Sequence, residues 1–317
     1  MHEIYLSKTT EPSKIVSELL AHHKEITSKD SELQNLVLRG ESQIYKSPLS
    51  TSYSLAVNSS PSLLNTAKDE WARVSAWNQR MRQLGKNAHL KSHWETLVEA
   101  QHFGLKTRLL DWTSNPLMAL WIACDGHSRL NSGLDYNSYF KGLESQDDSR
   151  KVPDGAIYFA ELPYKPVTID GQNGRVTLNG KHWQTTENQN STGTIIKYDN
   201  PILNDNGDKP HSCYLVKDED GLDKKYSILF FCLGSLINSR VRSQSGLFSI
   251  HSQSESKLSN KVDSNSYKLT KLIIKGNVKR KLLEYLEQIL NQNAETFGLA
   301  TAETIASQIN NQTKMID

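Results

Sequence analysis

The sequence predicts an α+β fold, with N-terminal helices packed on a mainly antiparallel sheet and a C-terminal helix pair. Three observations carry that expectation. Helical spacing of apolar residues dominates as far as Cys124. From Gly155 the period shifts to that of short strands joined by glycine turns. Val278 to Leu290 then returns to a helical stripe. Helices first, strands next and a helix to close argue against regular βαβ alternation.

The elements follow in order. Pro12 to His23 places Ile15, Val16, Leu19 and Leu20 on one helical face. Leu36 to Arg39 reads as a short strand ending at Gly40. Ser60-Pro61 starts a long helix that runs to about Leu84 and stops at Gly85. Ser92-His93-Trp94-Glu95 is a capping box for a helix that Gly104 closes. Asn115-Pro116 caps the next, Leu117 to Cys124. Asp125 to Asp154 is polar and reads as a surface insertion. Gly155 to Leu162 alternates Ile157 and Phe159 with Tyr158 and Ala160, as a strand does. Val167 to Ile169, Arg175 to Leu178, Lys181 to Thr185, Cys213 to Val216, Tyr226 to Cys232, Leu247 to His251 and Tyr267 to Ile274 extend the β region. Ser252 to Ser266 is a second polar insertion. Thr301-Ala302-Glu303 caps a last short helix, the second of the C-terminal pair.

Composition narrows the function classes. The chain has 317 residues, a 37% apolar fraction and a net charge of +2. That balance gives no global case for a polyanionic partner, although it leaves room for a local patch. The three cysteines, Cys124, Cys213 and Cys232, lie far apart and lack metal-ligand spacing. They fit a reducing compartment. There is no signal-peptide pattern, and the apolar runs fall short of the roughly 20 residues that span a bilayer. The expectation is a cytoplasmic protein with no membrane partner. No zinc spacing, phosphate-binding loop, dinucleotide glycine fingerprint or nucleophile elbow is present, so no metal is expected.

Three polar clusters remain as candidates for chemistry. Arg39-Gly40 ends a strand, and an arginine there can hold a phosphate bidentately while glycine admits a ligand to the backbone. Ser50, Thr51 and Ser52 add hydroxyl donors. The competing reading is an arginine paired with a core-edge carboxylate. Gln101 to Thr113 holds His102, Arg108 and Asp111 between two helices. His102 can act as a base or hold an anion, or simply favour a helix C-terminus. Arg108 and Asp111 read as a network that anchors the connection, with Thr113 and Asn115 as caps. Arg240, Arg242 and Gln244 stand beside a late strand, where Gln244 suits an amide or a ribose hydroxyl. A solvated basic face is the alternative. Of the tryptophans Trp71, Trp77, Trp94, Trp112 and Trp121, core packing outweighs stacking on a base.

Together these clusters resemble the FRG domain family, named for a Phe-Arg-Gly strand end. Leu38-Arg39-Gly40 stands where the family has that triplet. Gln101-His102-Phe103-Gly104-Leu105-Lys106-Thr107-Arg108-Leu109-Leu110-Asp111-Trp112-Thr113 follows the family's His-Tyr-Gly-Leu-Pro-Thr-Arg-Leu-Leu-Asp-Trp-Thr, with Phe103 and Lys106 as departures. Asn115-Pro116-Leu117, Gly155-Ala156-Ile157-Tyr158 and Arg242 to Phe248 resemble further blocks. The resemblance runs from about Leu33 to Ile309. It implies a single FRG-like domain over 1–317, with core motifs at about 33–309 and polar insertions at 125–154 and 252–266.

The resemblance implies a bacterial or phage protein of the defence or toxin type. By analogy of layout it extends to ADP-ribosyltransferase-like folds. On that analogy NAD is the substrate. Arg39, with Gly40 and Arg242, grips its phosphates or ribose. Ser50, Thr51 and Ser52 support the nicotinamide half, His102 orients a ribose hydroxyl, and Gln244 stands near a protein or nucleic-acid acceptor. Gln244 departs from the glutamate that many such transferases use, and an amide lacks the charge to steady a ribosyl cation. Two other readings stay open. One is a metal-independent ribonuclease with His102 as base, and the other a non-catalytic sensor of a nucleotide or a protein.

Overall fold

The computed structural model describes residues 2–5, 10–28, 36–44, 66–86, 93–107, 109–146, 151–162, 167–170, 175–178, 181–184, 214–217, 223–226, 228–233, 246–251 and 268–297. The fold is α+β, as the sequence predicts. Seven α-helices are described: α1 (Pro12–Ser28), α2 (Thr66–Gln83), α3 (His93–His102), α4 (Pro116–Ala123), α5 (Gly126–Ser132), α6 (Tyr136–Gln146) and α7 (Gly276–Glu284). The last continues into a π-helical turn, Tyr285–Ile289.

The strands are β1 (His2–Tyr5), β2 (Leu36–Glu41), β3 (Leu109–Thr113), β4 (Gly155–Glu161), β5 (Val167–Asp170), β6 (Arg175–Leu178), β7 (Lys181–Gln184), β8 (Tyr214–Lys217), β9 (Asp223–Tyr226), β10 (Ile228–Leu233), β11 (Gly246–His251) and β12 (Lys268–Ile274). Ten of them form one sheet in the order β1-β12-β4-β2-β3-β11-β10-β5-β6-β7, and β8 pairs with β9. The pairing is antiparallel except for β1 with β12 and β5 with β10.

The centre of the sheet is buried on both faces. Leu36, Leu38, Ile157, Phe159, Leu272 and Ile274 join the cluster formed with α1, α4 and α7. Val37, Leu110, Trp112, Tyr158, Ala160 and Phe230 form a second cluster. Both sets of alternating residues on β4 are therefore covered, which explains its continuous apolar run.

Helix α4 is the hub. Met118, Ala119, Leu120, Trp121 and Ala123 are all buried, as expected of a helix that is apolar all round. It starts where the sequence places it. Asn115 Oδ1 accepts from Leu117 N at 2.9 Å and Met118 N at 3.3 Å, and Pro116 sits in the first turn. Two glycines let it lie directly on the sheet. A Cβ on Gly40 would stand 2.1 Å from the Ala119 carbonyl oxygen, and one on Gly155 would stand 2.2 Å from that of Ala123. Full burial of each large apolar side chain here stabilises by roughly 1.5–3 kcal/mol.

Several expectations change. Asp125 to Asp154 is not a polar surface insertion: α5 and α6 form there and bury Leu130 and Phe140 in the core. The stretch between α3 and α4 is not a plain connection, because β3 lies within it at the centre of the sheet. Strands β1 and β9 are additions. Helix α1 runs five residues past His23, to Ser28. Ser252 to Ser266 and the helix expected from Thr301 lie outside the described residues. Among the described residues no helix is long and apolar enough to cross a membrane.

Candidate functional site

The site follows from an incomplete strand pair. Strands β2 and β3 are neighbours in the sheet, yet they register at one position only, Leu38 with Thr113. By contrast β2 pairs with β4 from Leu36–Glu161 through Glu41–Ala156, and β3 with β11 from Leu109–Ile250 through Thr113–Gly246. Beyond Leu38 the two strands part. A cleft of about 390 Å³ lies at the parting, within the roughly 300–1,000 Å³ usual for small-molecule sites. It is lined by Arg39, Gly40, Glu41 and Ser42 at the end of β2, and by Asp111 and Trp112 of β3. Gln101 and His102 of α3 and His127 and Ser128 of α5 complete its polar wall.

Arg39 spans the parting. Its Nη1 donates to the Asp111 carbonyl oxygen at 2.8 Å, where a regular ladder would place a backbone amide. Its Nε donates to Glu41 Oε1 at 2.6 Å, a charge-assisted bond between side chains two apart on one strand face. Both side chains of the pair remain partly open to solvent, at 19% and 16% exposure. Burial works against the guanidinium charge. The carboxylates of Glu41 and Asp111 and the Glu41 hydrogen bond outweigh it, so the pKa of Arg39 is raised above its ordinary value. The core-edge ion pair that competed with a ligand role is thus present, and it lies inside the cleft.

The end of α3 is set by Gly104, at φ +86°. Gly104 N donates to the Gln101 carbonyl at 2.8 Å and Leu105 N to that of Ala100 at 2.9 Å, a Schellman closure. A relay then ties helix to strand. Leu109 N donates to Thr107 Oγ1 at 3.2 Å, and Thr107 Oγ1 donates to Gln101 Oε1. Gln101 Nε2 donates to Asp111 Oδ1 at 2.7 Å. The carboxylate of Asp111 is therefore aimed by Gln101. Thr113 Oγ1 accepts from Asn115 N at 3.0 Å, the capping role expected of it.

The described residues bring Arg39, Gly40 and His102 to one cleft. Gly40 has a packing reason for being glycine, the close approach of α4, in addition to its place in the lining. Ser50, Thr51, Ser52, Arg108, Arg240, Arg242 and Gln244 lie outside the described residues. Trp112 and Trp121 are core residues as expected, and their Nε1 atoms donate to Ser249 Oγ at 2.8 Å and Glu287 Oε1 at 2.7 Å.

Sequence reasoning missed Glu41 and Gln101. Glu41 carried a signal, since it stands two residues from Arg39 on a strand and must share its face. It also missed the Lys279 anchor. That side chain is fully buried and donates to Asp125 Oδ2 at 2.7 Å and to the carbonyl of Ser42, on the cleft wall, at 2.6 Å. Burial pushes the Asp125 carboxyl above the usual carboxylate range, and Lys279, Ser42 and Tyr139 pull it only part of the way back.

Residues 34–132 match the family model described as the FRG domain. The match takes in every described residue of the cleft except Phe248. It stops short of the later blocks around Gly155 and Arg242. No curated protein and no solved structure matches the chain. The parting of β2 from β3, with Arg39 across it, thus lies within the segment, residues 34–132, that matches the FRG domain.

Proposed function

We propose that the cleft binds NAD and breaks its nicotinamide–ribose bond, passing ADP-ribose to water or to an acceptor. The observation that carries this reading is the gathering of one arginine, two carboxylates and two histidines in the cleft at the parted strands. A guanidinium has five N–H donors, and Arg39 gives two described ones to Glu41 and the Asp111 carbonyl. The fork is held in place and charged, as a phosphate clamp must be. Glu41 and Asp111 bring the negative charge that Gln244 lacks. As the C1′–N bond breaks, its electron pair goes to the nicotinamide nitrogen and positive charge develops on the ribosyl carbon. A preorganised carboxylate beside that carbon favours the transition state over the ground state. Water or an acceptor hydroxyl then attacks and releases its proton, with His102 placed to orient a ribose hydroxyl or take that proton.

The chain's net charge of +2 weighs against a ribonuclease, because phosphate contacts dominate nucleic-acid affinity and that balance supplies no global attraction for a polyanionic substrate. We further propose a cytoplasmic setting in bacterial or phage conflict. The three cysteines, far apart in sequence, support the reducing compartment; Cys124 itself is inert, its pKa pushed up to about 12 by burial. The setting in conflict rests on the resemblance to the FRG family.

The test is incubation of the purified protein with NAD, following nicotinamide release and acceptor modification. Release is expected from the native protein and should fall by about 10²-fold in Arg39→Lys, a loss typical of one oriented electrostatic group. NAD that raises the melting temperature but is recovered intact would leave a sensor instead. No release and no thermal shift would sink the reading.

A further inference from the structure

We propose that Trp77 and Phe103, flanked by Arg73, Arg80 and Lys106, form a dock for single-stranded nucleic acid beside the cleft. Phe103 is 59% exposed on the turn that closes α3. Its ring stands 6.1 Å from that of half-buried Trp77 at an interplanar angle of 33°. Both rings are partly open to solvent, and neighbouring accessible aromatic rings suit unstacked bases. Arg73, Trp77 and Arg80 fall on one stripe of α2 at spacings of four and three. Leu84, 69% exposed, prolongs that stripe, its N–H donating to the Arg80 carbonyl at 3.1 Å.

Charge selects the occupant. Between Ala72 and Lys86, and again between Phe103 and Thr107, every charged residue is cationic. Arg73, Arg80 and Lys106 are exposed, and Arg73 Nη2 reaches the Lys106 carbonyl at 3.5 Å, joining the two halves of the patch. The acidic residues of α3, Glu95 and Glu99, are buried. Cations tracking a backbone with aromatic faces between them are the physical signature of single-strand binding. A single exposed apolar residue would mean nothing. Here Phe103 also touches the cleft through His102, whose ring centroid lies 5.3 Å from its own. A strand stacked on Phe103 would therefore lie next to His102 of the cleft wall. As a binding surface the dock stands alone; as the seat of an acceptor it rests on the function proposed above.

Fluorescence anisotropy tests it with a labelled oligonucleotide of about twelve nucleotides at about 50 mM salt, alongside the NAD assay. The native protein should bind. Phe103→Ala should weaken binding about tenfold, while Phe103→Trp retains it. Arg73→Gln with Arg80→Gln should make the log–log salt slope shallower by roughly 1.4, two phosphate contacts at about 0.7 each. Phe103→Ala should still hydrolyse NAD while modifying the oligonucleotide less. No binding by the native protein, or binding indifferent to these variants, would overturn the proposal. So would equal competition by duplex DNA, a polyglutamate peptide or phosphatidylserine vesicles, because stacking would then play no part. If the oligonucleotide binds through Phe103 but NAD is not turned over, the dock stands and the cleft reading fails.

Discussion

Two polar clusters lie on either side of the end of β2, and they are built differently. The Lys279–Asp125 pair is sealed, its side chains 0% and 7% exposed and Lys279 also held by the Ser42 carbonyl. The Arg39–Glu41 pair is partly open and faces a cleft. Both are ion pairs at hydrogen-bond distance, so contact geometry does not separate a strut from a site. Access to solvent does. A closed pair can only organise the fold, whereas an open one in a cavity can exchange part of its bonding for a ligand.

The largest expected effect comes from breaking the sealed cluster. Lys279→Met leaves the Asp125 carboxylate buried without its cation and should cost about 3–5 kcal/mol. It should lower the thermal midpoint by several degrees. Adding Asp125→Asn should recover part of the loss, since no uncompensated ion remains, and asparagine tolerates the left-handed backbone at φ 66°. Calorimetry of the two variants makes the check. An unchanged midpoint in Lys279→Met would mean the pair contributes nothing.

Next comes the seating of α4. Gly40→Ala puts a Cβ 2.1 Å from the Ala119 carbonyl, and backbone rather than a flexible side chain must move. Overpacking of this kind costs typically 1–3 kcal/mol. Because Gly40 also lines the cleft, a shifted α4 should weaken NAD binding as well. Denaturant melts and NAD titration of the one variant separate the two effects. Full stability would remove the packing explanation for this glycine.

The contrast also shows what the sequence made legible. The helix ends at Gly85 and Gly104 and the Asn115 cap were readable because each depends on a few adjacent residues. Lys86 N donates to the Met81 carbonyl at 2.8 Å, closing α2 at Gly85 as expected. Arg39 and His102 were readable as a pair only through the family pattern, since nothing local says that residues so far apart meet. The strand β3 was hidden because its apolar Leu109 and Leu110 also fit a buried connection. Its strand character comes from pairing with β11, more than a hundred residues later. The helices α5 and α6 were hidden by their polar surface. Leu130, Phe140 and the Arg129–Glu287 bridge hold them, and Glu287 is supplied by the π-helical turn far along the chain. Lys279 was invisible for the same reason: a lone lysine on an amphipathic helix reads as solvated until a buried carboxylate is found beneath it.

The smallest effect on stability is the sharpest test of the open cluster. Glu41→Gln keeps the shape of the side chain and can still accept from Arg39 Nε, but removes the charge. The amide keeps the hydrogen bond and Asp111 still faces Arg39, so the stability change should be about 1 kcal/mol. If Glu41 steadies a ribosyl cation, nicotinamide release should fall by about 10²–10³-fold with little change in KM, because the charge matters where the bond breaks. If Glu41 only positions Arg39, KM should rise and kcat should hold, since glutamine preserves the bond but loosens the clamp. The direction of that split decides whether the carboxylate of this ion pair faces the chemistry or merely supports the arginine that does.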